Sequence, residues 1–192
     1  MLVETQLNLK DRFNFKKSKM NSNQLPVNEY SKFNATYINA LENVELFEEL
    51  EISLHDFIKF VQNIPMDKFD YSYAEGKWTI KEIIQHIIDT ERIFAYRALR
   101  ISRNDKTPLP GFEENDYVDN TDAKNRSIQD LLSEFSAVRH SNLLMFKSFS
   151  DEQLRRTGIA SGHEVSVRAL GFLIIGHMKH HQRVFAERYL NT

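Results

Sequence analysis

Three histidines near the end of the chain have a spacing that could support metal chemistry. Seven histidines are present, and His177, His180 and His181 fall within five residues of one another. Residues four apart lie nearly above one another on a helix, so their side chains can bind one ion together. The sequence therefore offers His177 with His181 as a metal-binding pair, and His177 with His180 as the competing pair.

The apolar period of the surrounding helix distinguishes these two pairs. Its inner stripe repeats at spacings of three and four and consists of Leu170, Ile174, His177, His181, Val184 and Arg188. His180 lies off this stripe, so the periodicity favours His177 and His181. Buried imidazoles need polar partners. The alternatives to a metal are hydrogen bonds within the core, or a helix rotated so that both rings face solvent.

His86 is the third candidate, because it lies within the most apolar segment of the chain. Four isoleucines flank it: Ile83, Ile84, Ile87 and Ile88. A single histidine there is more often a core residue than a ligand. However, three histidines on two core helices match the way bundles build metal sites from inward-facing side chains. The remaining histidines are expected to be solvated, namely His55, His140 and His163.

The composition restricts the chemistry of such a site. The chain contains no cysteine, so any metal must be bound through nitrogen and oxygen. Three neutral imidazoles leave an open position on the ion, where water or a thiol can be activated. One divalent ion would suit this ligand set, and zinc, nickel and iron are all compatible with it. Hydrolysis and thiol transfer are both compatible with it.

Charge and hydropathy argue against two classes of partner. The chain has 25 basic and 27 acidic residues and a net charge of -2, so no overall field attracts a polyanion. No apolar stretch approaches ~20 residues, and the first residues lack the pattern of a signal peptide. We therefore expect neither nucleic acid nor a membrane as partner, and a cytoplasmic location.

Four long helical patterns predict an all-α fold. They cover about residues 35–64, 79–102, 127–147 and 167–190, and a long connection spans residues 103–126. The connection is long enough for helices two and three to run in the same direction. We therefore expect a four-helix bundle in up-down-down-up order, with a plain up-and-down bundle as the alternative. No strand pattern is visible.

The ends of the chain suggest a simple domain organisation. Residues 1–24 are polar and locally basic, and they lack an apolar period. They are predicted to form a flexible N-terminal arm. Residues 25–192 are predicted to form one bundle domain.

Several residues around the histidines are candidates for supporting roles. Asp89 and Glu91 stand close to His86 and could orient its ring, although both could equally be surface acids. Phe112 and Tyr117 could form a wall of the pocket if the long connection folds over the site. The alternative is that this connection only caps the core. Acids of the connection that could then reach the metal are Glu113, Glu114 and Asp116.

A series of short motifs resembles the DinB-like family of metalloenzymes. The second predicted helix contributes KWTIKE at 77–82, HIIDTER at 86–92 and YRALR at 96–100. Further on, PLPGF at 108–112, SVRAL at 166–170 and the histidines at 177–181 continue the match in the same order. The resemblance covers roughly residues 37–190.

This resemblance implies a metal-binding four-helix bundle, frequently a homodimer, with His86, His177 and His181 as ligands. Some members of the family resemble transferases that use a low-molecular-weight thiol, and others resemble metal-dependent hydrolases acting on small molecules. We therefore expect a metal-dependent hydrolase or thiol transferase. The alternative is a non-catalytic metal-binding or stress-related bundle that acts through dimerisation.

Overall fold

The computed structural model of the chain describes residues 18–191 and is mainly helical. Two short strands form the only sheet of this part of the chain, and they pair antiparallel. The α-helices and strands are, in chain order, α1 (Lys32–Ile38), α2 (Leu46–Gln62), α3 (Ile80–Ser102), α4 (Glu114–Asp119), α5 (Ile128–Ser148), α6 (Asp151–Arg155), β1 (Thr157–Ala160), β2 (His163–Ser166) and α7 (Val167–Val184). A π-helical segment, Phe185–Leu190, continues α7. None of the described helices is long and apolar enough to cross a membrane.

The four longest helices form a bundle in which α3 packs against α7 and α5, and α2 packs against the same two helices. Contacts between side chains give the directions. Gln85 contacts Arg126 and Glu91 contacts Asn142, so α3 and α5 run parallel. The Tyr189 hydroxyl, just after α7, donates to the Trp78 carbonyl, just before α3. Phe94, further along α3, packs on His177, which comes earlier in the chain than Tyr189. The helix α7 is therefore antiparallel to α3.

The direction of α2 completes the order. Phe57 packs on Phe135, whereas Glu51 pairs with Lys147, so α2 is antiparallel to α5. The predicted up-down-down-up four-helix bundle is therefore confirmed. Its core consists of apolar side chains from all four long helices, as their amphipathic periods require.

The second predicted helix begins where the sequence indicated. The Thr79 hydroxyl accepts a hydrogen bond from the Glu82 amide, and the Glu82 carboxylate accepts one from the Thr79 amide. This reciprocal capping box satisfies two of the amides that have no partner within the helix. It fixes the first turn of α3, and therefore the register that carries His86 into the core.

The first predicted helix, residues 35–64, is wrong as a single element. Residues 39–45 separate α1 from α2, and Glu45 caps α2 by accepting hydrogen bonds from the amides of Phe47 and Glu48. The Leu46 amide donates to the Met20 carbonyl, and the Ser22 amide donates to the Val44 carbonyl. The chain leaves the helical path because these contacts with residues 20–22 replace helical hydrogen bonds.

The predicted N-terminal arm lies partly outside the described residues. Residues 1–17 of it are not described. Residues 18–24 differ from the expectation of a flexible arm, because Met20 and Ser22 are buried against the start of α2. Leu25 continues this contact with the core. A single apolar residue among lysines carries no periodic signal, so the sequence does not indicate that Met20 is buried.

The segment between α6 and α7 contains strands, although no strand pattern is visible in the sequence. It forms the β1–β2 hairpin, whose turn places Ser161 at φ 51° and Gly162 at φ 78°. Backbone of this left-handed kind is readily adopted by glycine, and paired left-handed residues suit a two-residue hairpin turn. The Leu109 amide and carbonyl bond to the hairpin at Ile159 and Ser161. The long connection is thereby held against it.

Candidate metal centre

The rings of His86, His177 and His181 converge between α3 and α7. His177 Nε2 lies 3.0 Å from His86 Nε2 and 3.1 Å from His181 Nε2. One nitrogen from each ring falls within 4.8 Å of the other two. His86 and His177 are buried, and His181 is partly buried. The structure therefore brings together all three histidines that the sequence indicated.

Close packing of α1 on α7 supports one side of this cluster. A Cβ atom at Gly176 would lie 2.7 Å from the Tyr37 carbonyl oxygen, so only glycine allows this approach. The Tyr37 ring then meets the rings of His177 and His180 edge-on, at centroid distances of 5.5 and 5.3 Å. Gly176 thus lets Tyr37 pack beside the histidines.

Burial keeps the three imidazoles neutral. It lowers the pKa of His86 to about 4, and it lowers the pKa values of His177 and His181 well below the usual range. For His177, the neighbouring rings of His181 and His86 act in the same direction as burial. Neutral imidazole is the form that offers a lone pair to a metal.

The donor set fits a divalent metal better than it fits hydrogen bonding. His177 Nε2 faces two other ring nitrogens, but it carries either one proton or one lone pair. Only one full hydrogen bond can therefore form there. Three lone pairs directed at one ion would satisfy all three nitrogens, and ligand distances of about 2.0–2.1 Å require this degree of convergence. His181 Nδ1 is buried and has no hydrogen-bond partner among residues 18–191.

His180 lies outside the cluster, as the periodicity indicated. Its ring packs edge-on against His181 and Tyr37. It does not belong to the group of nitrogens that converge between α3 and α7 in the described part of the chain.

The two acids proposed to orient His86 have other partners. The Glu91 carboxylate is buried and accepts two hydrogen bonds from Arg139 and one from Asn142. Asp89 accepts a hydrogen bond from Gln85, one turn earlier on α3. Within residues 18–191, neither acid is hydrogen-bonded to His86. The sequence could not predict this because Arg139 comes from a different helix.

A cavity of about 270 Å³ borders His177. Phe112 and Glu114, from the long connection, line it, whereas Tyr117 packs on the Phe112 ring and is not a lining residue. Glu113 and Asp116 also lie outside the lining. Burial, and then the charge of Glu113, raise the pKa of Glu114.

Sequence reasoning missed several polar residues of this cavity. Thr90 and Arg97 follow His86 on the inner face of α3, and Ser161 and His163 come from the hairpin. The spacing of 86, 90 and 97 could have indicated Thr90 and Arg97, because steps of four and seven keep residues on one helical face. The hairpin residues carried no comparable signal. A second cavity, of about 400 Å³, contains none of the three converging histidines in its lining.

Comparisons with known proteins agree with this architecture. The chain is 20% identical over 139 residues, 71% of its length and 79% of the relative's, to a protein of Oceanobacillus iheyensis named a putative metal-dependent hydrolase. A Bacillus cereus protein with the same description is 22% identical over 78 residues, which are 40% of this chain and 44% of the relative.

A solved structure matches over most of the fold. YfiT from Bacillus subtilis, described as a probable metal-dependent hydrolase with an unusual four-helix bundle topology, superposes with a TM-score of 0.69. The match covers 87% of this chain and 92% of YfiT at 16% identity, and it supports the bundle fold. The family profile of the DinB superfamily matches residues 49–185. The chain therefore belongs to the DinB superfamily.

Proposed function

We propose that this protein is a metal-dependent enzyme in which His86, His177 and His181 bind one divalent ion. The observation that carries the proposal is the convergence of three neutral ring nitrogens at the edge of a cavity. A structural metal site is closed by protein ligands, whereas a catalytic site keeps a position open for water or substrate. The cavity beside His177 supplies room for that position.

The proposed chemistry is hydrolysis or transfer of a low-molecular-weight thiol. A divalent ion held by His86, His177 and His181 would supply a Lewis acid that lowers the pKa of water to about 7, or that of a thiol further, and so would make a nucleophile available at neutral pH. The names of the relatives from Oceanobacillus and Bacillus support the hydrolase class. Zinc, nickel and iron remain the candidate metals.

Glu114 is proposed as the proton acceptor of this reaction. It is the acid of the long connection that lines the cavity with His177. Burial raises its pKa, which makes its carboxylate a stronger base than an ordinary surface carboxylate. Tyr37 lines the same cavity and packs on the His177 ring. Burial, and then the charge of Glu114, raise the pKa of Tyr37.

The alternative function is a non-catalytic metal-binding bundle that acts through dimerisation. The cavity at His177 favours the enzyme, because a site used only for stability needs no adjoining cavity of this size. We keep a homodimer as a proposal for either function. Sedimentation analysis of the full-length protein, with and without metal, tests it.

Metal analysis of the full-length protein tests the proposed function. We expect about one divalent ion per chain, lost in His86→Ala, His177→Ala and His181→Ala. His140→Ala is the matched control, because His140 is exposed and bonded to its own helix. A screen of ester and amide hydrolysis, together with transfer of several small thiols, then separates the two reactions. Equal metal content in all four variants would refute the assignment.

A further inference from the structure

Arg97 is a buried cation without a carboxylate partner in the described part of the chain. Arg97 is 6% exposed, and its Nη2 group donates to the Pro110 carbonyl and to the Ser161 hydroxyl, both at 2.9 Å. Its Nε and Nη1 groups have no hydrogen-bond partner among residues 18–191. Burial lowers the pKa of Arg97. A buried charge is costly unless an opposite charge compensates it.

Other arginines of the bundle show how this protein normally compensates such charges. Arg139 is fully buried and forms a bidentate pair with Glu91, and Arg168 pairs with Glu29. Arg97 differs because the groups it contacts are neutral oxygens. Its guanidinium also lies 6.0 Å from the centre of the Phe112 ring, which forms part of the cavity wall.

The surroundings of Arg97 indicate a ligand rather than an internal partner. Arg97 lines the same cavity as His177, and Glu114 is the only carboxylate among the described lining residues. Glu114 forms no ion pair with Arg97. Thr90, seven residues earlier on α3, is 3% exposed, and its hydroxyl has no hydrogen-bond partner in residues 18–191. As far as residues 18–191 show, one cavity therefore holds a cation without a carboxylate partner and a hydroxyl without a hydrogen-bond partner.

Resting on the proposed function, we propose that the substrate is a small elongated molecule with a carboxylate that binds Arg97. Apolar side chains between Arg97 and His177, including Phe94 and Leu173, would contact its middle. Arg97 stands eleven residues after His86, about 16 Å along the helix axis, and side chains tilt towards the helix N-terminus. Both side chains tilt in this direction and the longer Arg97 side chain reaches further, so the carboxylate is expected roughly 10–15 Å from the His86 ring.

The test compares a carboxylate probe with its neutral counterpart on the full-length protein. The probes are 4-phenylbutanoate and 4-phenylbutanamide, titrated by calorimetry into protein stripped of metal and into protein loaded with zinc. We expect the carboxylate to bind at least about tenfold more tightly than the amide in both forms, the effect of a charge-assisted hydrogen bond.

Matched variants assign this preference to Arg97. Arg97→Met should abolish the preference and Arg97→Lys should retain part of it. Arg100→Met is the control on the same helix, because Arg100 pairs with Asp105 and Tyr96 outside the cavity, and it should leave the preference unchanged. Ser161→Ala removes one hydrogen bond that holds the Arg97 side chain but keeps its charge. It therefore separates the effect of disturbing the β1–β2 turn from the effect of losing the charge.

Three results would overturn the proposal. They are equal affinities for the two probes, no carboxylate binding at millimolar concentrations, and a preference that survives in Arg97→Met. A preference seen only with zinc and insensitive to Arg97 would place the carboxylate on the metal instead. Because the metal-free titration needs no metal centre, failure of the proposed function would leave the Arg97 preference intact.

Discussion

Arg139 and Glu91 form a bidentate ion pair at the centre of the bundle, with Nε 2.8 Å from Oε1 and Nη2 2.9 Å from Oε2. Both side chains are buried. Arg139 also donates to the Leu50 carbonyl and the Ser53 hydroxyl, so the pair ties α2, α3 and α5 together. Glu91 therefore stabilises the bundle that carries His86, and it does not contact the His86 ring.

Removing one partner of this pair should destabilise the fold without emptying the metal site. Glu91→Gln should lower the free energy of unfolding by about 3 kcal/mol or more, because it leaves the buried Arg139 charge uncompensated. Replacing both partners, with Glu91→Gln and Arg139→Met, should recover part of the loss. Urea unfolding and metal content measure the two effects. Metal loss at unchanged stability would instead support a role for Glu91 at His86.

Metal content should distinguish His180 from its neighbours on α7. His180→Ala should retain most of the bound metal, because its ring lies outside the converging nitrogens, whereas His177→Ala and His181→Ala should lose it. Elemental analysis of the three purified variants is the measurement. Comparable metal loss in all three would show that His180 belongs to the site.

Glu114 should matter for turnover and not for metal binding. Glu114→Gln removes the proposed proton acceptor, so the rate should fall about 100-fold or more while metal content stays at one per chain. Asp116→Asn is the control, because this acid of the same connection does not line the cavity. Both variants should be assayed with the substrate found in the screen. Equal rates for the two variants would exclude Glu114 as the base.

The capping box of α3 should make stability depend on pH. Burial acts to raise the pKa of Glu82, but hydrogen bonds from Thr79 and the charge of Lys124 outweigh it, so the pKa is lowered. A lowered pKa in the folded state gives stability that is present above the unfolded pKa of about 4.3 and is lost at lower pH.

Glu82→Gln tests this dependence directly. Gln keeps the capping hydrogen bonds and removes only the charge, so the substitution should lower the unfolding free energy at pH 7 by up to about 1 kcal/mol. The difference from the unmodified protein should shrink as the pH falls below about 4. Glu75→Gln is the control, since Glu75 is an exposed acid in the preceding connection. A difference that stays constant from pH 7 to pH 3 would contradict the role of the Glu82 charge.

Met20 should contribute to the core although it precedes the bundle. Met20→Ala should lower the free energy of unfolding by about 2 kcal/mol or more, because the side chain is 4% exposed and its removal leaves a cavity. Met66→Ala, at a methionine that is 78% exposed, should change it by less than about 0.5 kcal/mol. Thermal or urea unfolding provides the comparison. Equal stabilities would mean that residues 18–24 add little to the core.

Features that depend on residues close together in the chain could be predicted from the sequence. The spacing of Thr79 and Glu82 gave the start of α3, because a capping box is closed within one turn. The 3.6-residue period identified His177 and His181 as sharing the inner face of α7, and it separated them from His180. It also gave the four long helices, and therefore the bundle, because each apolar face must be covered by another helix.

Features that depend on partners distant in sequence became visible only in the folded molecule. Residues 20–22 interrupt the predicted first helix by pairing with residues 44–46, and Glu91 is taken by Arg139, 48 residues away. The Arg97 guanidinium meets the Pro110 carbonyl of the long connection and the Ser161 hydroxyl of the hairpin, which lie 13 and 64 residues away. Local periods indicate which face of a helix is buried. They cannot indicate which polar groups meet there, because those contacts form between segments far apart in the chain, and local periods do not give the arrangement of such segments in space.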